Sequence, residues 1–320
     1  MSKYKNFREF YEKELLPDLE IIDRKRKKVD RRVITVLIIM AALITGELIL
    51  IPSNYEGLWV MVPILTGIAG FIFISVFSRG YRQEYKRRIM TRIARFVDEG
   101  LTYNPEGTVP KSEFVKSEIF PLSCDKYNGE DHFSGKLGKT DIEFSEVVAK
   151  HRNTSGSGSN KKDNYSIIFR GLFIIADFNK HFKTHTLVLP DTAERLFGKF
   201  GQKLQSLSLN RGELIRLEDP VFEKEFCVYG DDQVEARYIL TPALMERILT
   251  FKRKWNTTVY LSFLDSKVYI AIRMFKNLFE TRLFKSVVDY DFMEDNLRFL
   301  ILITEIVDDL NLNTRIWTKE

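Results

Sequence analysis

Two uninterrupted apolar runs govern what this chain can fold into. Val33 to Ile51 (VITVLIIMAALITGELILI) is 19 residues with one charge, and Leu58 to Phe77 (LWVMVPILTGIAGFIFISVF) is 20 residues with none. A helix of about 20 apolar residues crosses the hydrocarbon core of a bilayer, and soluble core helices rarely reach that length without polar residues. The runs therefore predict a two-helix transmembrane hairpin over residues 33–77, closed by the tip PSNYEG. Seven basic residues stand between Arg24 and Arg32; Arg79, Arg82, Lys86, Arg87, Arg88, Arg92 and Arg95 follow the second run, and the tip carries none. Basic flanks stay on the cytoplasmic side, so both termini are expected inside. The same clusters, Arg24 to Arg32 and Arg79 to Arg95, suit the anionic head groups of membrane lipids.

Glu47 is the one ionisable residue inside a run. An intramembrane acid is a functional-site hypothesis by default, here for a small transporter component. It lies one turn from the outer end, where interfacial water is closer than a proton relay, and two helices make a better anchor than a pore. Ala42 with Gly46, and Thr66 with Gly70, have the small-xxx-small spacing of closely packed membrane helices.

Charge is uneven along the chain. Residues 1–99 carry 18 Lys and Arg against 12 Asp and Glu, and the remainder carries 31 against 32. A nucleic-acid-binding domain would concentrate its basic excess on the folded part, which is here about neutral, so no nucleic-acid partner is expected. Two cysteines, Cys124 and Cys227, are too few for a disulfide framework and fit a reducing compartment. The polar residues 1–32 show no signal peptide.

Below the membrane, Phe7, Tyr11, Leu15, Leu19 and Ile22 form one helical stripe, interrupted by Pro17, and Tyr81, Tyr85, Ile89, Ile93, Phe96 and Val97 form another that stops at Gly100. They are expected either to pair antiparallel as a stalk or to pack each on the folded domain. The organisation read from the chain is a cytoplasmic juxtamembrane helix over 1–32, the hairpin over 33–77, a cytoplasmic helical extension over 78–99 and a cytoplasmic α+β domain over 110–320. That domain is expected to hold a mostly antiparallel sheet. Within it, residues 131–152 predict a hairpin turning at Gly138-Lys139, Asn153 to Asn164 a polar loop, YSIIFRGLFIIADF a central strand and HTLVLP a short one. A two-residue turn at Asp265-Ser266 sets Phe263 against Val268, Leu261 against Ile270 and Val259 against Ile272. Asp291 with Glu294 predicts a capping box opening a buried helix.

The acid-rich segment from Glu218 to Pro242 holds the candidate site residues Asp231, Asp232 and Glu235, with Arg237 beside them. Clustered carboxylates could bind a hard cation and serve a metal-dependent hydrolase. The competing reading is structural: Asp219-Pro220 and Thr241-Pro242 are N-caps followed by proline at the first helical position, and Asp232 with Glu235 has capping-box spacing. Cys227, between Phe226 and Val228, is expected buried and inert. His181 and His185 have i, i+4 spacing without the glutamate of H-E-x-x-H. With no phosphate loop, metal quartet or triad pattern, no catalytic residue, metal ligand or cofactor is assigned.

The segments FRGLFIIADFNKHFKTHTLVLPD and EDPVFEKEFCVYGDDQVEARYILTPALMERIL, after an N-terminal hairpin, resemble the bacterial membrane-protein family known as domain of unknown function 3137, over about residues 110–310. The resemblance implies an inner-membrane protein with a cytoplasmic α+β domain and no established activity. It also implies an envelope task shared with LemA-type membrane proteins, a LemA-type protein being the candidate partner. The reading that results is a membrane-anchored cytoplasmic interaction or scaffold module. The alternatives are an anchored metal-dependent hydrolase using Asp231, Asp232 and Glu235, and a small transporter component.

Overall fold

The computed structural model describes residues 2–50, 56–155, 162–178, 180–191, 212–275, 277–310 and 312. The chain divides into two compact units, Met1–Ile93 with Phe279–Leu297, and Ala94–Leu278 with Arg298–Glu320.

The first unit is built on two long helical runs. Helix Ser2–Phe10 passes through a π-turn, Tyr11–Leu15, into helix Leu16–Leu50. Pro17 explains the wide turn: a proline has no N–H to donate, and its ring collides with the carbonyl four residues back, so the preceding turn loosens while the helix continues. A second run starts with helix Glu56–Tyr85 and passes through another π-turn, Lys86–Met90. The two apolar stripes face inward, with Phe7, Leu15, Leu19, Ile22, Tyr85, Ile89 and Ile93 fully buried. Lys25 meets Glu84 at 2.5 Å, Arg92 meets Asp18 at 3.0 Å, and Arg92 also donates to the carbonyl of Glu14 at 3.1 Å. One residue number falls as the other rises, so these segments pair antiparallel. Phe279–Leu297 packs with them: Tyr290 contacts Phe7 and Tyr11, and Asn296 donates to the Tyr85 hydroxyl at 3.3 Å.

Nearer the tip, the helices are apolar outward. The most apolar 18-residue window of each is only 6% buried, and both are long and apolar enough to cross a membrane. Thr66 and Gly70 face the first helix, since the Thr66 hydroxyl donates to Glu47 at 2.6 Å and a Cβ at Gly70 would run into Met40. The spacing on the first helix does not act the same way: Ala42 is exposed, and a Cβ at Gly46 would meet nothing within 4 Å.

The second unit is α+β. Its strands are β1 (Leu101–Asn104), β2 (Lys126–Leu137), β3 (Thr140–Ser155), β4 (Lys162–Asp177), β5 (Thr186–Pro190), β6 (Glu213–Ile215), β7 (Phe226–Gly230), β8 (Val259–Leu264) and β9 (Lys267–Arg273). They form one sheet in the order β1-β2-β3-β4-β9-β8-β5-β7-β6, and the pairings among described residues are antiparallel. The β8–β9 register pairs Phe263 with Val268, Leu261 with Ile270 and Val259 with Ile272, around Asp265 and Ser266 in left-handed conformation, φ 52° and 60°. Short polar residues tolerate that conformation, which matches the twist of a two-residue hairpin.

One sheet face buries Val147, Phe169, Phe173 and Tyr269 under Val109, Phe114 and Ile119, which flank or lie on helix Lys111–Lys116. The alternate residues Leu261, Phe263, Ile270 and Ile272 are also fully buried, so β8 and β9 are apolar on both faces. At Gly171 of β4, φ is +151° and a Cβ would collide with the Ile272 carbonyl oxygen, a close approach that only glycine permits.

Two local expectations are corrected. The polar loop is shorter than Asn153 to Asn164, because Thr154 pairs with Asp163 and Ser155 with Lys162, leaving 156–161 outside the described residues. The cap of helix Tyr290–Thr304 is Asp289, not Asp291: the Asp289 Oδ1 accepts the Phe292 N–H at 3.1 Å.

Candidate functional site

Strand β7 delivers the acid-rich segment to one end of the sheet, and each candidate side chain there has a partner. Asp232 caps helix Gln233–Ile239, its Oδ1 accepting from Val234 N at 2.7 Å and Glu235 N at 3.1 Å. Glu235 does not complete a capping box. Its carboxylate crosses to residues 183–184, accepting the Lys183 N–H at 2.9 Å, the Thr184 N–H at 2.6 Å and the Thr184 hydroxyl. Burial pushes the Glu235 carboxyl up, but those donors outweigh it and hold the carboxyl below its ordinary range. Asp231 accepts the His185 N–H at 3.3 Å and returns its own N–H to the His185 carbonyl at 3.3 Å. Arg237 donates to the Arg216 carbonyl at 3.2 Å. The four residues therefore fasten chain segments to one another and do not converge on an open point. Two grooves, of about 470 Å³ beside Glu146, Lys150 and Arg170 and about 850 Å³ beside Lys136, Asp141 and Lys267, include none of them.

Asp219 caps helix Pro220–Glu225 and Thr241 caps helix Pro242–Trp255, each ahead of its proline. Cys227 is half-buried and not buried as expected; on a strand of period two its neighbours Phe226 and Val228 face the core and turn Cys227 to the opposite side. Neither cysteine is in a disulfide, and the Cys227 thiol donates to Asp191 Oδ1 at 3.8 Å.

His181 and His185 do not share a ligand position. His181 Nδ1 lies 3.2 Å from Ser266 Oγ, whereas His185 is buried with Nε2 2.9 Å from Ser262 Oγ and Nδ1 3.2 Å from Glu118 Oε2. A carboxylate only accepts, so the His185 Nδ1 carries the proton and Nε2 accepts the Ser262 hydroxyl. Serine, histidine and acid stand in the order of a hydrolytic relay. Ser262, however, is fully buried within β8, in register with Leu187 on one side and Tyr269 on the other, where a substrate carbonyl has no approach. The cluster fastens Glu118, itself at φ 52°, to the sheet. Burial pushes the His185 imidazole down, against the opposing pull of Glu118 and Asp231, so the fold favours the neutral ring.

The first unit holds a second polar cluster. Arg26, buried on helix Leu16–Leu50, pairs with Asp23 at 2.7 Å and with Asp30. The Asp23 Oδ1 also accepts the Ser286 hydroxyl at 3.0 Å and the Val287 N–H at 3.3 Å, while the Asp30 Oδ1 accepts the Phe284 N–H at 3.2 Å. Burial alone would raise the Asp23 carboxyl; hydrogen bonds from Arg26, Ser286 and Val287 outweigh it and bring it down to about 2. Lys86, also buried, pairs with Glu280 at 3.1 Å. The run RKRKKVDRR reads as a plain basic cluster, and its single Asp30, with Asp23 seven residues earlier, signals a paired helix face whose partner lies some 250 positions away. Glu118 and Ser262 carry no sequence signal at all.

Two long apolar helices ahead of a largely antiparallel nine-stranded α+β domain define the class: a membrane-associated module. Residues 167–312 match the family described as Protein of unknown function (DUF3137), so this chain resembles that family over both quoted segments, and the match starts later than residue 110. Among solved structures, the mycobacterial trehalose monomycolate transport factor A, TtfA, is similar at 10% identity over 72% of this chain and 97% of that one, with a TM-score of 0.31. No curated protein matches.

Proposed function

We propose that this chain is a membrane-anchored interaction module in a bacterial inner membrane, with the hairpin spanning twice and both termini on the cytoplasmic side. The observation that carries the reading is the pair of apolar windows left 6% buried, on helices that lead into a domain with its own core. So much outward apolar surface is stable only against lipid or another apolar partner. Basic flanks on both helices and their absence from the tip support the orientation.

The hydrolase alternative needs Asp231, Asp232 and Glu235 to turn their oxygens toward a cation, and backbone amides and the Thr184 hydroxyl already occupy them. The transporter alternative rests on Glu47, which accepts a hydrogen bond across the hairpin from Thr66 and so ties the two helices. A LemA-type partner rests on the family resemblance alone. Cysteine labelling tests the anchor: with Cys124 and Cys227 replaced by serine, Asn54→Cys should react with an impermeant thiol reagent in intact cells, and Ser2→Cys and Glu320→Cys only after lysis. Labelling of position 320 from outside overturns the topology.

A further inference from the structure

Ion pairing sorts the basic residues below the first apolar helix into two sets. Arg26 is buried against Asp23 and Asp30, Lys25 is held by Glu84, and Lys27 meets Asp23 at 3.3 Å. Arg24, Lys28, Arg31 and Arg32 remain exposed and make no ion pair among the described residues. Arg24 and Arg31 make only long contacts to the carbonyls of Glu20 and Lys27, at 3.4 and 3.3 Å, and Arg32 lies 5.5 Å from the Phe77 ring centroid. At 3.6 residues per turn, positions 24, 28, 31 and 32 share one helical face, opposite the buried face of Leu19, Ile22, Asp23, Arg26 and Asp30. Four long cations thus form a ridge running straight into the apolar helix.

We propose that this ridge binds the phosphate head groups of anionic lipids, an inference that rests on the membrane-anchored reading. The geometry fits that occupant. With a rise of 1.5 Å per residue, the ridge reaches about 12 Å from Arg32 back to Arg24, so Arg31 and Arg32 sit at head-group depth and Lys28 and Arg24 within about a Debye length below it. Arginine and lysine stems lie along apolar surface and present their heads to phosphate. Asp23 and Asp30 would oppose an anion if they were free, but Arg26 and Lys27 balance their charge and the amides of Phe284 and Val287 take up their oxygens. Lys25 and Arg26 therefore belong to the unit's internal structure, and the ridge is left to face lipid.

The test uses the full chain in nanodiscs of equal parts phosphatidylglycerol and phosphatidylcholine, with retained lipid read by native mass spectrometry. The parent protein should retain phosphatidylglycerol preferentially, and millimolar inorganic phosphate should not displace it. Changing Arg24, Lys28, Arg31 and Arg32 together to Gln should reduce that preference tenfold or more, since each basic side chain near a bilayer contributes about a five-fold effect. Arg24→Lys, Arg31→Lys and Arg32→Lys together should keep most of it. An equal loss of charge on the sheet and its β2–β3 turn, by Lys126, Lys136, Lys139 and Lys150 to Gln, should leave it unchanged. The proposal is overturned if the ridge variant keeps the preference, if the sheet variant loses as much, or if inorganic phosphate competes as a free ligand. Alkaline carbonate separates the two levels of failure: a chain it extracts from membranes defeats the anchor itself, and a chain that stays but shows no lipid preference defeats the ridge alone.

Discussion

Neutralising Asp23 should release the segment 284–287 from the helix that holds it. The Asp23 carboxylate is buried and accepts from Arg26, Ser286 and Val287. Those bonds bring its pKa from 3.8 to about 2, a difference of roughly 2.4 kcal/mol, or about sixty-fold, in favour of the ionised, bonded form. Asp23→Asn keeps an acceptor oxygen and loses the charge, so it should cost about that much. Asp23→Ala, which also strands the Ser286 hydroxyl and the Val287 amide beside a half-paired Arg26, should cost nearer 3–5 kcal/mol. Hydrogen exchange of the full chain in detergent reads this locally: the amide of Val287, whose hydrogen bond Asp23 accepts, should exchange at least tens of times faster in the variants. The pH dependence has a definite sign. A carboxyl depressed in the folded state contributes stability in full above 3.8, and this is lost as pH falls through about 2. Protection of the Val287 amide should therefore persist to about pH 4 and fade between about 4 and 2. Unchanged exchange in Asp23→Ala at neutral pH would refute the latch.

The acids of residues 231–235 can be sorted by stability: Asp232→Ala should cost about 1 kcal/mol as a lost cap and Asp232→Asn much less, whereas a rise in melting temperature with divalent cation that Asp232→Asn abolishes would restore the metal site. Because the fold lowers the His185 pKa below 6.5, the stability that the neutral ring contributes is complete above pH 6.5 and declines as pH falls below it; His185→Gln should flatten that slope in melts across pH 5 to 7, and an unaltered slope would assign it elsewhere. Leu19→Asp and Tyr85→Asp, at fully buried positions, should each lose at least the roughly 2–5 kcal/mol of a core truncation and leave the nine-stranded sheet of the second unit folded. The same pairing predicts that Lys25→Cys with Glu84→Cys is joined by a short thiol cross-linker, and no product would mean the helices do not pair.

Much of this architecture is legible in the chain because it depends on short-range rules. Apolar length marks the two long helices, and alternation gives the β8–β9 register to the residue. Caps at Asp219, Asp232 and Thr241 follow from a polar oxygen reaching amides two or three positions on. The same locality explains where reading along the chain goes astray. Asp291 and Asp289 both have a cap's side chain, and only the placement of the helix's first turn separates them; Cys227 follows its strand's alternation, not the apolarity of its neighbours.

What the sequence determines by itself is therefore the alphabet of elements, the apolar hairpin and the antiparallel sheet, since each arises from periodicity or length within a few turns. Tertiary structure alone decides what the charged residues do. Glu235 looks like a capping partner for Asp232 and instead holds residues 183–184; Arg26 looks like one more basic flank and is buried between Asp23 and Asp30; Ser262, His185 and Glu118 come together from three separate stretches. The physical reason is range. A buried charge or hydroxyl must find a partner wherever the fold brings one, and that partner's position in the chain leaves no mark on the local pattern.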